Sequence, residues 1–204
     1  FQGDHLLGVP GDVSDVEHVQ NLWDVGINSF NQIDIWINNA GISHQQASPW
    51  EIPVEALQGV IHTNILGEVY GTQVAIQGFL QQGYGAVYNV EGMGGDGKTH
   101  GVKGLSVYGM TKAGLHYFNR CLAEEVAGHN IITGALQPGM VLTDIITEWY
   151  KDRPEDWEKD QKILSLIASP IDDVAAWMAE RILQNEKNGV YFKYSSNWRI
   201  LKRM

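Results

Sequence analysis

The chain alternates between short β-prone runs and longer segments whose apolar residues recur every three to four positions. The first run, His5-Leu6-Leu7-Gly8-Val9, predicts a strand over 5–9 that stops before Pro10-Gly11-Asp12. Asp12-Val13-Ser14-Asp15 has the turn and N-cap character that starts a helix, with Val19, Leu22, Trp23 and Phe30 as its apolar stripe. The period then changes, and Ile33-Asp34-Ile35-Trp36-Ile37 predicts a second strand. A long helical pattern over 50–82 carries Ile61, Ile65, Val69, Val74, Ile76 and Phe79, with Asn64 interrupting it. Gly67 and Gly71 lie near one face of that pattern and suit close packing, as at a helix interface. Further strands are predicted at 86–90, 131–136 and 189–192. Helices are predicted over 108–127 and, capped by Ser169-Pro170, through Val174, Trp177, Met178 and Ile182. Strands alternating with helices in this way predict an α/β domain with a parallel sheet.

Candidate chemistry concentrates around Tyr108 and Lys112, which are four apart and share a helical face. An ammonium beside a phenol favours phenolate, lowers the tyrosine pKa and makes the hydroxyl a proton donor to a carbonyl oxygen gaining charge. Taken alone, the pair reads far more readily as a surface Tyr-Lys contact. Asn38-Asn39-Ala40-Gly41 follows a strand directly, where open parallel sheets bind ligands. Small residues there let a planar group reach the backbone, although such a segment is also an ordinary turn.

Asn38-Asn39-Ala40-Gly41, Asn64, Tyr108, Lys112 and Pro138-Gly139 occur in the order and approximate spacing of the short-chain dehydrogenase/reductase family, which the chain resembles from Asp12 almost to its end. The segments 89–95 and 136–144 look most like the branch of chlorophyll(ide) b reductases. The resemblance implies a Rossmann-like doubly wound parallel sheet and NADPH or NADH as cofactor. It gives Tyr108 the proton transfer and Lys112 the lowering of the Tyr108 pKa and the nicotinamide ribose. Asn64 would sit at a helix distortion and hold a water that links the lysine to solvent. On the cofactor side, Asp12 and Val13 would flank the adenine, Asn38, Asn39, Ala40 and Gly41 would support the site, Pro138, Gly139 and Met140 would lie beside the nicotinamide, and Thr143 would bond the carboxamide or phosphate region. The family's variable substrate-binding segment corresponds to 140–168. Within it Trp149, Tyr150 and Trp157 would supply an aromatic wall for a flat macrocycle, or else ordinary packing or an oligomer contact.

One departure bears on the chemistry. The family's serine, which hydrogen-bonds the substrate carbonyl, often precedes the tyrosine by thirteen residues, and that position is Gly95; the alternative pair directly after the strand is Glu91 and Gly92. Losing one oxyanion donor costs about 3 kcal/mol, unless a backbone N–H, a water or a hydroxyl such as Thr99 substitutes. The glycine-rich loop 92–104, with Lys98, His100 and Lys103, reads either as a mobile loop or as a wall that makes room for a large substrate.

A length of 204 residues suits one domain. The formal charge of -10, with no basic stripe, argues against a nucleic-acid backbone partner. Cys121 lies in an apolar run and reads as a buried thiol, and no secretory signal or membrane-spanning stretch is evident. The family's fold opens with two strands, a glycine-rich turn and their helices, none of which precedes residue 5 here. Phe1-Gln2-Gly3 therefore reads as an interior start, or a tag remnant, of a domain lacking about fifty residues. The expected partner is a small-molecule carbonyl substrate, with a chlorophyll as the branch's candidate, and a homo- or hetero-oligomer is expected. The tail with Trp198, Arg199, Lys202 and Arg203 reads as solvated, with peripheral membrane contact as the rival. The location implied is the stromal side of the thylakoid in a photosynthetic eukaryote, otherwise the cytoplasm. Two functions stand: reduction of the 7-formyl group of chlorophyll(ide) b or of another carbonyl, and a catalytically weak pigment-binding or regulatory scaffold.

Overall fold

The computed structural model of the chain describes residues 6–95, 101–150 and 154–194, without the side chains of 148, 166 and 167. Lys98, Thr99, His100 and the basic tail from Trp198 lie outside these residues.

Four parallel strands form one sheet in the order β1 (Ile35–Asn38), β2 (Gly85–Val90), β3 (Ile131–Gln137) and β4 (Val190–Lys193). The helices are α1 (Val16–Phe30), α2 (Val54–Ile61), α3 (Gly67–Gln82), α4 (Ser106–Glu125), α5 (Asp144–Glu148), α6 (Pro154–Ile167) and α7 (Ile171–Leu183). Alternate side chains of β2 enter two cores, so the strand is apolar on both faces. Val87 joins Trp23, Val74, Phe79, Leu122 and Ile131 under α1, α3 and α4. Ala86 and Tyr88 join Leu136, Val174, Met178 and Ile182 under α7. Trp23 meets Phe79 edge-on at 5.3 Å and fills the first core. Helices on both faces of a parallel sheet make this the expected doubly wound α/β fold.

The strand expected at 5–9 is not formed: residues 6–9 are irregular, and Leu6 is 72% exposed. A strand exists only against a partner ladder, and β1 pairs with β2 alone among the described residues. α1 begins at Asp15, whose carboxylate accepts from the Glu17 amide at 2.9 Å. The helical stretch expected from 50 starts instead at Val54, after Pro53. α7 follows Pro170 without the side-chain cap expected of Ser169. Cys121 is half-buried rather than buried.

The glycines of α3 serve contacts within the subunit. A Cβ on Gly67 would stand 2.7 Å from Val13 Cγ2, one on Gly71 would collide with the Asn38 amide, and one on Gly78 would collide with the Trp23 ring. They let α3 lie close to the turn before α1, to β1 and to α1 in turn.

Candidate active site

The carboxyl ends of β1, β2 and β3 converge on a cavity of about 590 Å3. Asn39, Ala40 and Gly41 form one wall, Val90 to Met93 another, and Gln137 to Val141 a third. Tyr108 and Lys112 enter from α4, and Thr143, Ile145, Ile146 and Trp149 close the side formed by α5.

Between α2 and α3 the helix widens into a π turn, His62–Leu66, and the one extra residue carries Asn64 fully inside. Its Oδ1 accepts from the Ile42 amide at 2.8 Å, and its Nδ2 donates to the Ile42 carbonyl at 2.9 Å and to Thr111 Oγ1 at 3.2 Å. Asn64 thus clamps the loop after β1 to α4. Its side-chain amide is engaged with protein on both ends.

Lys112 is buried, and its ammonium donates to the Val90 carbonyl at 3.0 Å. Burial pushes its pKa below the ordinary lysine value, while the carboxylates of Glu68 and Glu91 pull the other way. The Tyr108 pKa is raised, by burial. The expected lowering by Lys112 is therefore absent from this arrangement: the ammonium is spent on Val90, and desolvation of the phenolate dominates. Among the described residues, the Tyr108 hydroxyl makes no hydrogen bond, so its proton is available to a ligand in the cavity.

The position facing that hydroxyl is Gly92. A Cβ on Gly92 would lie 2.5 Å from the Tyr108 oxygen and 3.2 Å from Lys112 Cγ. Gly95, which the thirteen-residue spacing nominates, points elsewhere. Its amide donates to the Gly92 carbonyl at 3.1 Å, and a Cβ there would meet Glu91 Oε2 at 2.7 Å. Gly95 does not line the cavity. The spacing misleads because 92–95 form a turn that folds over Glu91.

Glu91 is buried, and its carboxylate accepts from His116 Nδ1 at 3.0 Å and from Asn119 Nδ2 at 3.1 Å. His116 stands one further turn along the face that carries Tyr108 and Lys112. The polar chain continues from Asn119 through Asn89 Nδ2 at 2.5 Å and Asn38 Nδ2 to Asn89 at 2.8 Å, and ends at Trp36 Nε1, which donates to Asn38 at 2.7 Å. Asn38 accordingly ties β1 to β2 and does not face the main cavity. On the other side, Tyr191 donates to Gln137 Oε1, and Gln137 Nε2 donates to the Gly92 carbonyl at 3.3 Å. The turn opposite Tyr108 is held from both flanks.

Of the three aromatic residues expected to form a wall, only Trp149 lines the cavity. Its ring lies edge-on to Tyr108 at 6.4 Å, and its indole N–H donates to Ser43 Oγ at 2.8 Å. Tyr150 and Trp157 pack on each other at 5.3 Å, and the Tyr150 hydroxyl donates to Asp160 at 3.1 Å, so both brace α6. Pro138, Gly139, Met140 and Thr143 line the cavity. Asp12 does not; its carboxylate accepts from the Ser14 amide at 2.9 Å and hydroxyl at 2.8 Å, which lowers its pKa. Val13 lies in a separate cavity of about 210 Å3 with Asn38, Asn39, Ala40 and Glu68. The sequence reading did not single out Gln137, Ile145 and Ile146 and gave Glu91 no role of its own, although a residue just beyond a central strand is a general signal for a ligand site.

A family model described as short chain dehydrogenase matches residues 2–154. The chain belongs to the short-chain dehydrogenase/reductase family. It is 35% identical to carbonyl reductase family member 4 of Danio rerio over 146 residues, which is 70% of this chain and 58% of that one. It is 30% identical to the chloroplastic chlorophyll(ide) b reductase NOL of Oryza sativa subsp. japonica, over 89% of this chain and 52% of that one. The chain thus spans about half the length of these curated relatives. The fold matches the crystal structure of a 3-ketoacyl-(acyl-carrier-protein) reductase from Brucella melitensis complexed with NADH. The TM-score is 0.80 at 24% identity, over 96% of this chain and 79% of that one.

Proposed function

We propose that this chain is the substrate-binding and proton-donating part of an NAD(P)H-dependent carbonyl reductase. The observation that carries the reading is the free Tyr108 hydroxyl beside buried Lys112 at the floor of a largely apolar cavity. The backbone suits the nicotinamide end of the cofactor. Gly139 has a φ of 74°, and a Cβ there would meet the Tyr194 carbonyl at 2.7 Å, so the Pro138-Gly139-Met140 wall stays flat. Gly41 lies on the opposite wall, close to Lys112. Asn39 to Gly41, Lys112, Pro138 to Met140 and Thr143 would hold the nicotinamide and its ribose, and the dinucleotide, when bound, supplies hydride.

The chain's own part is the proton. Tyr108 donates it to the carbonyl oxygen of the substrate, while the Lys112 ammonium, bonded to the Val90 carbonyl, would hold the nicotinamide ribose. Glu91 favours the charged lysine, and Asn64 fixes the wall opposite it. With Gly92 in the serine's place, the oxyanion has no side-chain hydroxyl from that turn, so Tyr108 is the donor on which turnover depends.

For the substrate we propose the 7-formyl group of chlorophyll b or chlorophyllide b, reduced to the 7-hydroxymethyl compound. The apolar lining of the cavity, Trp149 included, suits an apolar substrate, and the likeness to chloroplastic chlorophyll(ide) b reductases supports this one. A stromal thylakoid location and assembly with a further subunit belong to the same proposal. Gly92 motivates a second reading, a pigment-binding scaffold with little turnover. Incubation with NADPH and chlorophyllide b, followed by chromatography, separates the two: a cofactor-dependent 7-hydroxymethyl product supports the reductase. Bound pigment without product, in a sample that binds NADPH, supports the scaffold.

A further inference from the structure

The α5 side of the cavity is tied to the loop after β1 by a bond across 106 residues of sequence, in which the Trp149 indole N–H donates to Ser43 Oγ at 2.8 Å. Ser43 is itself fixed. Its O–H donates to the His44 carbonyl at 3.3 Å, which leaves the oxygen lone pairs for the indole. Its neighbour Ile42 is gripped at both amide and carbonyl by Asn64, which also donates to Thr111 on α4, between Tyr108 and Lys112. The anchor of this strap is therefore the same clamp that places the helix of the proton donor. α5 has five residues, Asp144–Glu148, too few to be stable through its own backbone bonds. Its place depends on tertiary contacts: Ile146 and Trp149 pack with Leu105, and Trp149, 8% exposed, meets the Tyr108 ring edge-on at 6.4 Å.

We propose that Ser43 is a positioning residue: through its bond to Trp149 it holds α5 closed over Tyr108, so that the hydroxyl faces a carbonyl substrate rather than bulk water. The use made of that hydroxyl rests on the carbonyl reductase reading; the strap itself does not. Burial raises the Tyr108 pKa, and the Trp149 ring is part of that cover. The charged groups that line the cavity with Tyr108 are Lys112 from α4, Asp144 from α5 and Glu91 from the turn after β2. Cutting the strap leaves Lys112 and Glu91 in place and lets α5 move away with Asp144. Water reaching the hydroxyl and a negative charge leaving it act in the same direction, and both lower the Tyr108 pKa.

Ser43→Ala and Trp149→Phe each remove the bond while keeping an aromatic ring beside Tyr108. NMR of the full chain carrying isotope-labelled tryptophan and tyrosine reads both ends of the strap, with the Trp149 and Tyr108 signals assigned by their loss in Trp149→Phe and Tyr108→Phe. In Ser43→Ala the Trp149 indole hydrogen is expected to exchange with solvent about two- to tenfold faster than in the wild type, the net worth of one hydrogen bond. Tyr108 is expected to titrate at lower pH, towards the ordinary tyrosine value. Trp149→Phe should move the Tyr108 titration the same way, and the double variant no further, because the same bond is lost in each. Ser43→Thr keeps a hydroxyl and should restore both signals. NADPH-dependent carbonyl reduction by Ser43→Ala should lose about two- to tenfold in kcat/KM. The proposal is overturned if Ser43→Ala leaves the indole exchange, the Tyr108 titration or the kcat/KM of an active protein as in the wild type. It is equally overturned if the two single effects add in the double variant, or if folded Ser43→Thr behaves like Ser43→Ala. A strap with the expected NMR behaviour in a protein that reduces no carbonyl would instead defeat the reductase reading and leave the placement of Tyr108 by Ser43 standing.

Discussion

Replacing Gly92 by alanine puts a methyl group into the space that Tyr108 uses. The added Cβ would stand 2.5 Å from the tyrosine oxygen, whereas ordinary contact begins near 3.4 Å, so the hydroxyl must retreat by about 1 Å. The same Cβ would stand 3.2 Å from Lys112 Cγ, so it has little room to shift away from the hydroxyl on that side. A misplacement of about 1 Å at the proton donor costs about a hundredfold in rate. Overpacking at a filled site adds about 1–3 kcal/mol of destabilisation, which for a chain of this size lowers Tm by ~2–4 °C per kcal/mol. Steady-state carbonyl reduction at saturating NADPH, with a thermal melt on the same sample, reads both effects. Gly92→Ser suffers the same crowding but adds an oxyanion donor, so its kcat should exceed that of Gly92→Ala. Wild-type kcat in a fully folded Gly92→Ala protein would refute the placement of the hydroxyl against this glycine.

The buried pair of acids gives two more expectations. Burial holds the Glu68 carboxyl up at about 8 against an ordinary 4.5, despite the attraction of Lys112. Between these pH values the folded chain keeps a proton that the unfolded chain has released, so stability falls as pH rises through that window. Urea unfolding of Glu68→Gln should show a flatter dependence from pH 5 to 8 and higher stability at the upper end; an unchanged slope would contradict the assignment. Glu91→Gln keeps the shape but removes a charge that favours the Lys112 ammonium. The alkaline limb of its kcat profile should move to lower pH, and a limb that stays in place would show that Glu91 does not act on Lys112.

The alternation of strands and helices was legible because the two periodicities differ and because the sheet is buried on both faces. Tyr108, Lys112, Asn64 and the loop at 39–41 also emerged from the chain, since helical spacing and position after a strand carry geometric meaning by themselves. Residues 6–9 misled because apolar composition describes a strand's side chains and not its ladder partner. Gly95 misled because counting residues assumes an extended path, whereas the turn at 92–95 doubles back over Glu91. Tyr150 and Trp157 share a segment with Trp149 but turn to each other, and no linear pattern distinguishes a cavity wall from a brace between helices. The shift of the Tyr108 pKa was expected in the wrong direction because the lysine's bond to Val90 and its burial are properties of the tertiary structure.

The central claim is that Tyr108 gives its proton to a carbonyl. Its most direct test is kcat for NADPH-dependent carbonyl reduction by wild-type protein and Tyr108→Phe, with unfolding free energies measured alongside. Because the hydroxyl bonds nothing in the protein among the described residues, its removal should leave stability nearly unchanged while kcat falls by about 10²–10⁴-fold. A folded Tyr108→Phe protein that reduces the carbonyl at the wild-type rate would contradict the account.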